Sequence, residues 1–324
     1  MKQENNASKS AKRIIVAIVI AALACGAGVW AYKSMSSSEP AIADNSADAM
    51  VGEWGDFTAK HHKNKKKKKK EKINKDYNPN QERNRRDDGR PATMSSNDRM
   101  LIVVTNSTLP ERLVNYTGFR ISFNSRLHIP NWVAWELTSE EVDGRRRRGN
   151  EFHRDAKIDG CAESWDYNNS GYDRGHMMPA GDNKWNANAM FECFSMANMC
   201  PQSYELNHGS WRILEEKCRD WAKRNKSVFI ICGPVATDKM TDHIGSTRVA
   251  VPKRFFKVVV APYANPPRGI GFLFPNAEVA GGLAKCATTI DEIERVTGHD
   301  FFATLPDNVE NVVEAQCDFY KWDR

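Results

Sequence analysis

No Cys-x-x-Cys pair occurs in the 324 residues, although eight cysteines are present. That absence sets aside zinc ribbons, whose ligands come in such close pairs, and thioredoxin-like redox motifs. No internal repeat is evident, which excludes solenoids and propellers. A third shortage is of positive charge where a polyanion-binding domain would need it. The chain carries a net charge of +6, but residues 1–98 hold 19 Lys and Arg against 12 Asp and Glu, leaving 28 and 29 for residues 99–324. The basic excess therefore belongs to the leader, and the pI of 8.8 is by itself no argument for a nucleic-acid partner. Any such argument has to come from particular residues.

What is present divides the chain into three. In residues 1–33, the uncharged run from Ile14 to Tyr32 would span about 28 Å as a helix, close to the roughly 30 Å of a bilayer's hydrocarbon core. Its length favours an uncleaved anchor over a cleaved signal, whose apolar core is usually about 7–15 residues. Lys9, Lys12 and Arg13 precede it and would stay in the cytoplasm, so the sequence implies a domain held outside the cytoplasm, or secreted if the segment is removed. Lipid attachment at Cys25 in Ala-Leu-Ala-Cys-Gly is a further alternative, although the Leu lies one place late for a lipobox. Residues 34–98 read as an extended tether, because the lysine run that includes Lys65 to Lys70 repels itself and cannot form a core. Residues 99–324 read as one folded domain. An exported domain could oxidise some of its seven cysteines, with no pairing legible in the sequence.

Within that domain the pattern is mixed. Leu101–Val104, Trp132–Leu137, Val228–Cys232, Phe255–Val260 and Ile270–Phe274 are short apolar runs bounded by Gly, Pro or Asn, as strands are. In Ser210–Arg224, Trp211, Leu214, Cys218 and Trp221 recur at helical spacing while Arg212, Glu216, Arg219 and Lys223 face elsewhere, which predicts an amphipathic helix packed on a sheet. Thr289–Thr297 reads as a second helix.

Two clusters could carry chemistry. Gly171 to Asp182 packs an acid, an imidazole, a guanidinium and three glycines into twelve positions. An unperturbed imidazole titrates near neutrality, so His176 is the candidate to take a proton from water, and Arg174 presents a planar set of donors that matches phosphate oxygens. The second cluster, Asn198 to Gln202 and then Leu206 to Trp211, runs into the amphipathic helix. Asn207 falls where an N-cap would, and taken alone it reads as one.

In this order the clusters resemble the DNA/RNA non-specific endonuclease family, which has Asp-Arg-Gly-His, Asn-Met-x-Pro-Gln and Leu-Asn-x-Gly-x-Trp leading into Leu-Glu. Here these are Asp173–His176, Asn198–Gln202, Leu206–Trp211 and Leu214-Glu215. Pro130–Leu137, Gly233-Pro234 and Pro252–Lys257 extend the likeness over about residues 100 to 320. Met178 and Cys200 stand where the family commonly has Ala. The resemblance implies an α+β fold with a ββα-metal core and a mixed or antiparallel sheet flanked by helices. It also implies His176 as general base, Asn207 as the single protein ligand of a magnesium ion, with manganese as an alternative, Arg174 as a stabiliser of phosphate charge, and Glu215 as a holder of water around the ion. Arg148, the last of four adjacent arginines before Asn150-Glu151-Phe152, is the choice for a further phosphate contact, against the reading of a solvated basic turn.

Independent arithmetic agrees on one point. Residues 207 and 215 are eight apart on a helix, about 12 Å of rise, so both can face one cleft without touching one ion. The expected activity is hydrolysis of DNA and RNA with little sequence preference, leaving 5′-phosphates, since none of these residues reads base edges. Two other readings stand beside it: a phosphodiesterase of the same fold with a narrower substrate range, and a non-catalytic nucleic-acid-binding protein using the lysine tether. Neither an inhibitor protein nor an oligomeric state is specified by the sequence.

Overall fold

The computed structural model describes residues 100–305 and 307–323. The apolar run 14–32, Cys25 and the lysine tether lie outside the described residues. Among the described residues no helix is long and apolar enough to cross a membrane.

A seven-stranded antiparallel sheet organises the domain. Its strands are β1 (Arg112–Asn115), β2 (Arg120–Asn124), β3 (Ile129–Thr138), β6 (Ser227–Pro234), β7 (Arg254–Ala261), β8 (Arg268–Pro275) and β9 (Ala287–Thr288). They lie side by side in the order β9-β8-β7-β6-β3-β2-β1. Two more strands, β4 (Asp173–His176) and β5 (Met199–Gln202), pair antiparallel with each other, apart from this sheet.

The central strands are continuous apolar runs because both faces of the sheet are covered. Successive side chains point to opposite faces. On β3, Val133, Trp135 and Leu137 join the core that holds Trp211, Leu214, Cys218 and Trp221. Trp132 and Ala134 of the same strand point the other way, into a core shared with Ile290, Ile293, Val309 and Val313. Helix α2 (Arg212–Arg224) thus packs on one face, with Leu214, Cys218, Trp221 and Ala222 buried as the periodicity predicts. Helices α3 (Ile290–Thr297) and α4 (Asp307–Glu314) supply the second core. Thr289 caps α3 by accepting from the Glu292 N–H, and Gly298, at φ 68°, ends it in the left-handed conformation that favours glycine.

All five strand expectations fall on observed strands, the first shortened to the pair Val103–Val104. All seven cysteines among the described residues are free, six buried and Cys317 exposed. Burial pushes the thiols of Cys193, Cys218 and Cys232 up to about 12, so they serve as small apolar core residues.

Candidate active site

Strand β4 consists of the four residues Asp-Arg-Gly-His, a strand rather than the sharp turn its glycine suggests. Gly175 is there for close approach. A Cβ on it would lie 2.1 Å from Oε1 of Gln202, whose side chain crosses the strand at that point. Asn198 braces the segment beyond. Its amide donates to the Met178 and Cys193 carbonyls at 2.9 and 2.8 Å, and its Oδ1 accepts from the Met178 N–H at 2.9 Å. A buried loop is thereby held without a ladder.

The second element enters as a helical turn at Tyr204–Leu206, continues through a π turn at Asn207–Trp211 and only then becomes α2. Here the structure departs from the expected N-cap. Ser203 holds that position and accepts from the Leu206 N–H at 3.2 Å. Asn207 is already helical, with φ −61° and ψ −44°, and Gly209 at ψ −115° interrupts the helix just after it. Freed from capping, the Asn207 amide donates to Oδ2 of Asp173 at 3.0 Å. One-turn π insertions of this kind recur at functional sites. Trp211 ties the elements together by donating from its indole to the His176 carbonyl at 3.2 Å.

These elements enclose a cleft of about 550 Å³ whose lining includes His176, Arg174, Arg148, Glu215 and Asn207. All five candidate residues from the sequence therefore meet in one place. His176 is buried, with its ring against Phe194 at 4.9 Å and Phe152 at 5.5 Å. Its Nε2 has no hydrogen-bond partner. Burial, aided by the charge of Arg148, lowers its pKa to about 3 and keeps the imidazole neutral. Arg174 is fixed in place, donating through Nε and an Nη to the Ser164 carbonyl and through that Nη to Asn168, with Phe152 and Tyr167 under its guanidinium. Arg148 is exposed and lies 5.4 Å from the centre of the Phe194 ring.

Glu215 is partly buried on the first turn of α2, and burial raises its carboxyl to about 7 against the opposing charge of Lys257. Lys257 is itself wholly buried, its ammonium 4.2 Å from the Trp211 ring centre. Asp182 anchors the cleft wall, accepting from Arg219 at 2.9 Å and from the Trp135 indole at 3.2 Å.

Several cleft residues escaped the sequence reading. Arg212, Glu216 and Arg219 read as a solvent face, but the same three- and four-residue spacing places them beside Glu215 along the cleft. His208 lines it too, with Nδ1 3.2 Å from Oδ2 of Asp173 and its ring stacked on Tyr204. Asp173 was visible only as the motif's first letter.

The donor set suits a hard divalent cation. With its N–H bound to Asp173, the Asn207 amide has its oxygen left to offer, and burial raises the Glu215 carboxyl to about 7 in spite of Lys257, Arg219 and Arg148.

The model of the DNA/RNA non-specific endonuclease family matches residues 96–308. The chain belongs to that family. Among its relatives, the mitochondrial nuclease EXOG of Danio rerio is 34% identical over 207 residues, covering 59% of this chain and 60% of the relative. The mitochondrial nuclease of Saccharomyces cerevisiae is 34% identical over 233 residues, covering 63% and 70%. A crystal structure of the EndoG/EndoGI complex aligns at a TM-score of 0.57 with 27% identity, over 61% of this chain and 88% of that one. The fold is the ββα-metal fold of EndoG, as the motifs implied.

The same comparisons correct the expected location. These two relatives are named as mitochondrial nucleases, so the reading of a membrane-anchored or secreted domain outside the cytoplasm does not stand. That reading rested on the length of the run 14–32 and on Lys9, Lys12 and Arg13 before it, all outside the described residues.

Proposed function

We propose that residues 99–324 form a metal-dependent endonuclease that hydrolyses DNA and RNA phosphodiesters with little sequence preference and leaves 5′-phosphates. One observation carries the reading: a neutral imidazole with an unpartnered ring nitrogen lies in a cleft lined by Arg148, Arg174, Arg212 and Arg219. A neutral base among fixed cations is what attack of water on a phosphodiester requires.

In this account His176 takes the proton from a water aligned opposite the departing 3′-oxygen. Arg174, immobilised by Ser164 and Asn168, and Arg148 on the other side hold the phosphate and offset the charge that develops on its oxygens. Asn207 would ligate a divalent ion through its amide oxygen, with Glu215 nearby holding water, and the ion would supply charge neutralisation at the phosphate and leaving oxygen. Magnesium is the proposed ion, since a single neutral protein ligand leaves most of the shell to water and substrate. Low specificity follows from contacts that address phosphate alone.

The test is digestion of supercoiled plasmid and structured RNA by the full chain with magnesium, manganese or EDTA. Loss of both substrates with metal and neither with EDTA supports the reading. Intact substrates under every metal would overturn it.

A further inference from the structure

A second hollow of about 390 Å³ adjoins the cleft, lined by Arg146, Arg147, Asn150, Glu151, Phe191 and Phe194 among others. Its size falls in the range of about 300–1,000 Å³ usual for small-ligand sites. Phe194 is the partition between the two. Its ring lies edge-on to His176 at 4.9 Å, with the Arg148 guanidinium 5.4 Å from its centre, and it also lines the hollow.

The aromatic wall is unusual in being open. Phe191 lies in the last turn of helix α1 (Ala187–Glu192) with 55% of its surface exposed, and His153 covers one face of the ring in a parallel stack at 4.2 Å and 10°. That stack is fixed from below, since the His153 N–H donates to the Phe194 carbonyl and the Met196 N–H to the His153 carbonyl. Arg145 to Arg148 are all exposed, and none pairs with a carboxylate among the described residues. The charge and the open ring therefore occur together, one side chain away from the base.

We infer that this hollow is a nucleobase subsite. It receives an unstacked base of a single-stranded substrate against Phe191 when the neighbouring phosphate lies between Arg148 and His176, and so it rests on the nuclease reading. Glu151 decides the orientation. A carboxylate at the wall repels phosphate from the hollow, so the base enters and the backbone stays at the arginine rim. A base can reach Phe191 only by leaving its stack, which costs least in a single strand. Because any base has a stacking face, the subsite selects strandedness rather than sequence.

The test compares the full chain with Phe191→Ala, Phe191→Trp and Arg147→Ala. One measurement is kcat/KM on a mixed-sequence single-stranded oligonucleotide and on its duplex. The other is quenching of 2-aminopurine in that single strand in EDTA, where nothing is cut. Phe191→Ala is expected to lose the quenching and to lower single-strand kcat/KM about tenfold relative to duplex, with Phe191→Trp restoring both and Arg147→Ala weakening binding. Unchanged quenching and an unchanged single-strand to duplex ratio in Phe191→Ala would overturn the subsite. If the unaltered chain cleaves neither substrate, the nuclease reading fails, and quenching that disappears in Phe191→Ala would still establish base binding.

Discussion

The side-chain amide of Asn207 donates to Oδ2 of Asp173 at 3.0 Å, which joins the first letter of the Asp-Arg-Gly-His strand to the proposed metal ligand on the π turn. This bond engages the amide nitrogen and leaves the oxygen for the proposed ion. Partners of this kind orient the ligand, and their loss commonly weakens metal binding by about 10- to 100-fold.

Asp173→Ala should therefore raise the magnesium concentration for half-maximal cleavage by about 10- to 100-fold, with most of kcat recovered at saturation. A magnesium titration checks it, and an unchanged midpoint would remove Asp173 from the account.

The His176 imidazole should stay neutral far below the ordinary histidine range. With its folded pKa lowered to about 3 by burial and then by Arg148, the unfolded chain binds more protons than the folded one between about pH 6.5 and 3. Stability from this group is thus present above that window and lost as pH falls through it. Ring NMR of His176 in the metal-free protein should show no titration from pH 8 to 5, whereas a midpoint at 6 or above would contradict the burial argument.

Gly175→Ala should disrupt the β4–β5 pair, because the new methyl would lie 2.1 Å from Gln202 Oε1. A loss on the order of 1–3 kcal/mol is expected, as for overpacking elsewhere. Adding Gln202→Ala opens the space, so the double variant should be more stable than Gly175→Ala alone. Strictly additive losses in denaturant unfolding would show that the contact is not the reason for the glycine.

How much of this was legible in the sequence depended on the kind of pattern. Short apolar runs marked β3, β6, β7 and β8, and helical spacing marked the buried stripe of α2, because those residues meet a hydrophobic core. Local rules failed at the site. Asn207 looked like a cap, but Ser203 took that role, and the π turn that frees Asn207 has no local sequence signature beyond Gly209. Arg212 and Arg219 looked solvated because polar spacing does not distinguish open water from a charged cleft. The order of the motifs supplied what propensity could not, bringing His176, Arg174, Arg148, Glu215 and Asn207 into one list before any geometry was available.

Away from the cleft, Glu314 is buried with its Oε1 unpartnered, and its carboxylate lies within 4.8 Å of those of Asp291 and Glu294. Burial and these neighbours raise Glu314 to about 9 and Glu294 to about 7. The folded chain therefore holds the extra protons, and stability falls as pH rises from the ordinary carboxylate range toward 9. Glu314→Gln should narrow the difference in Tm between pH 6 and pH 9 by a few degrees. An unaltered difference in scanning calorimetry would show that this cluster does not set the alkaline limit.

The central claim is that His176 acts as the base. Single-turnover cleavage of a labelled oligonucleotide by the full chain and by His176→Ala, at saturating magnesium, tests it most directly. The account predicts a rate about 10²–10⁴ lower in the variant, with the dissociation constant for substrate unchanged in EDTA. Cleavage by His176→Ala within a few-fold of the unaltered chain would contradict it.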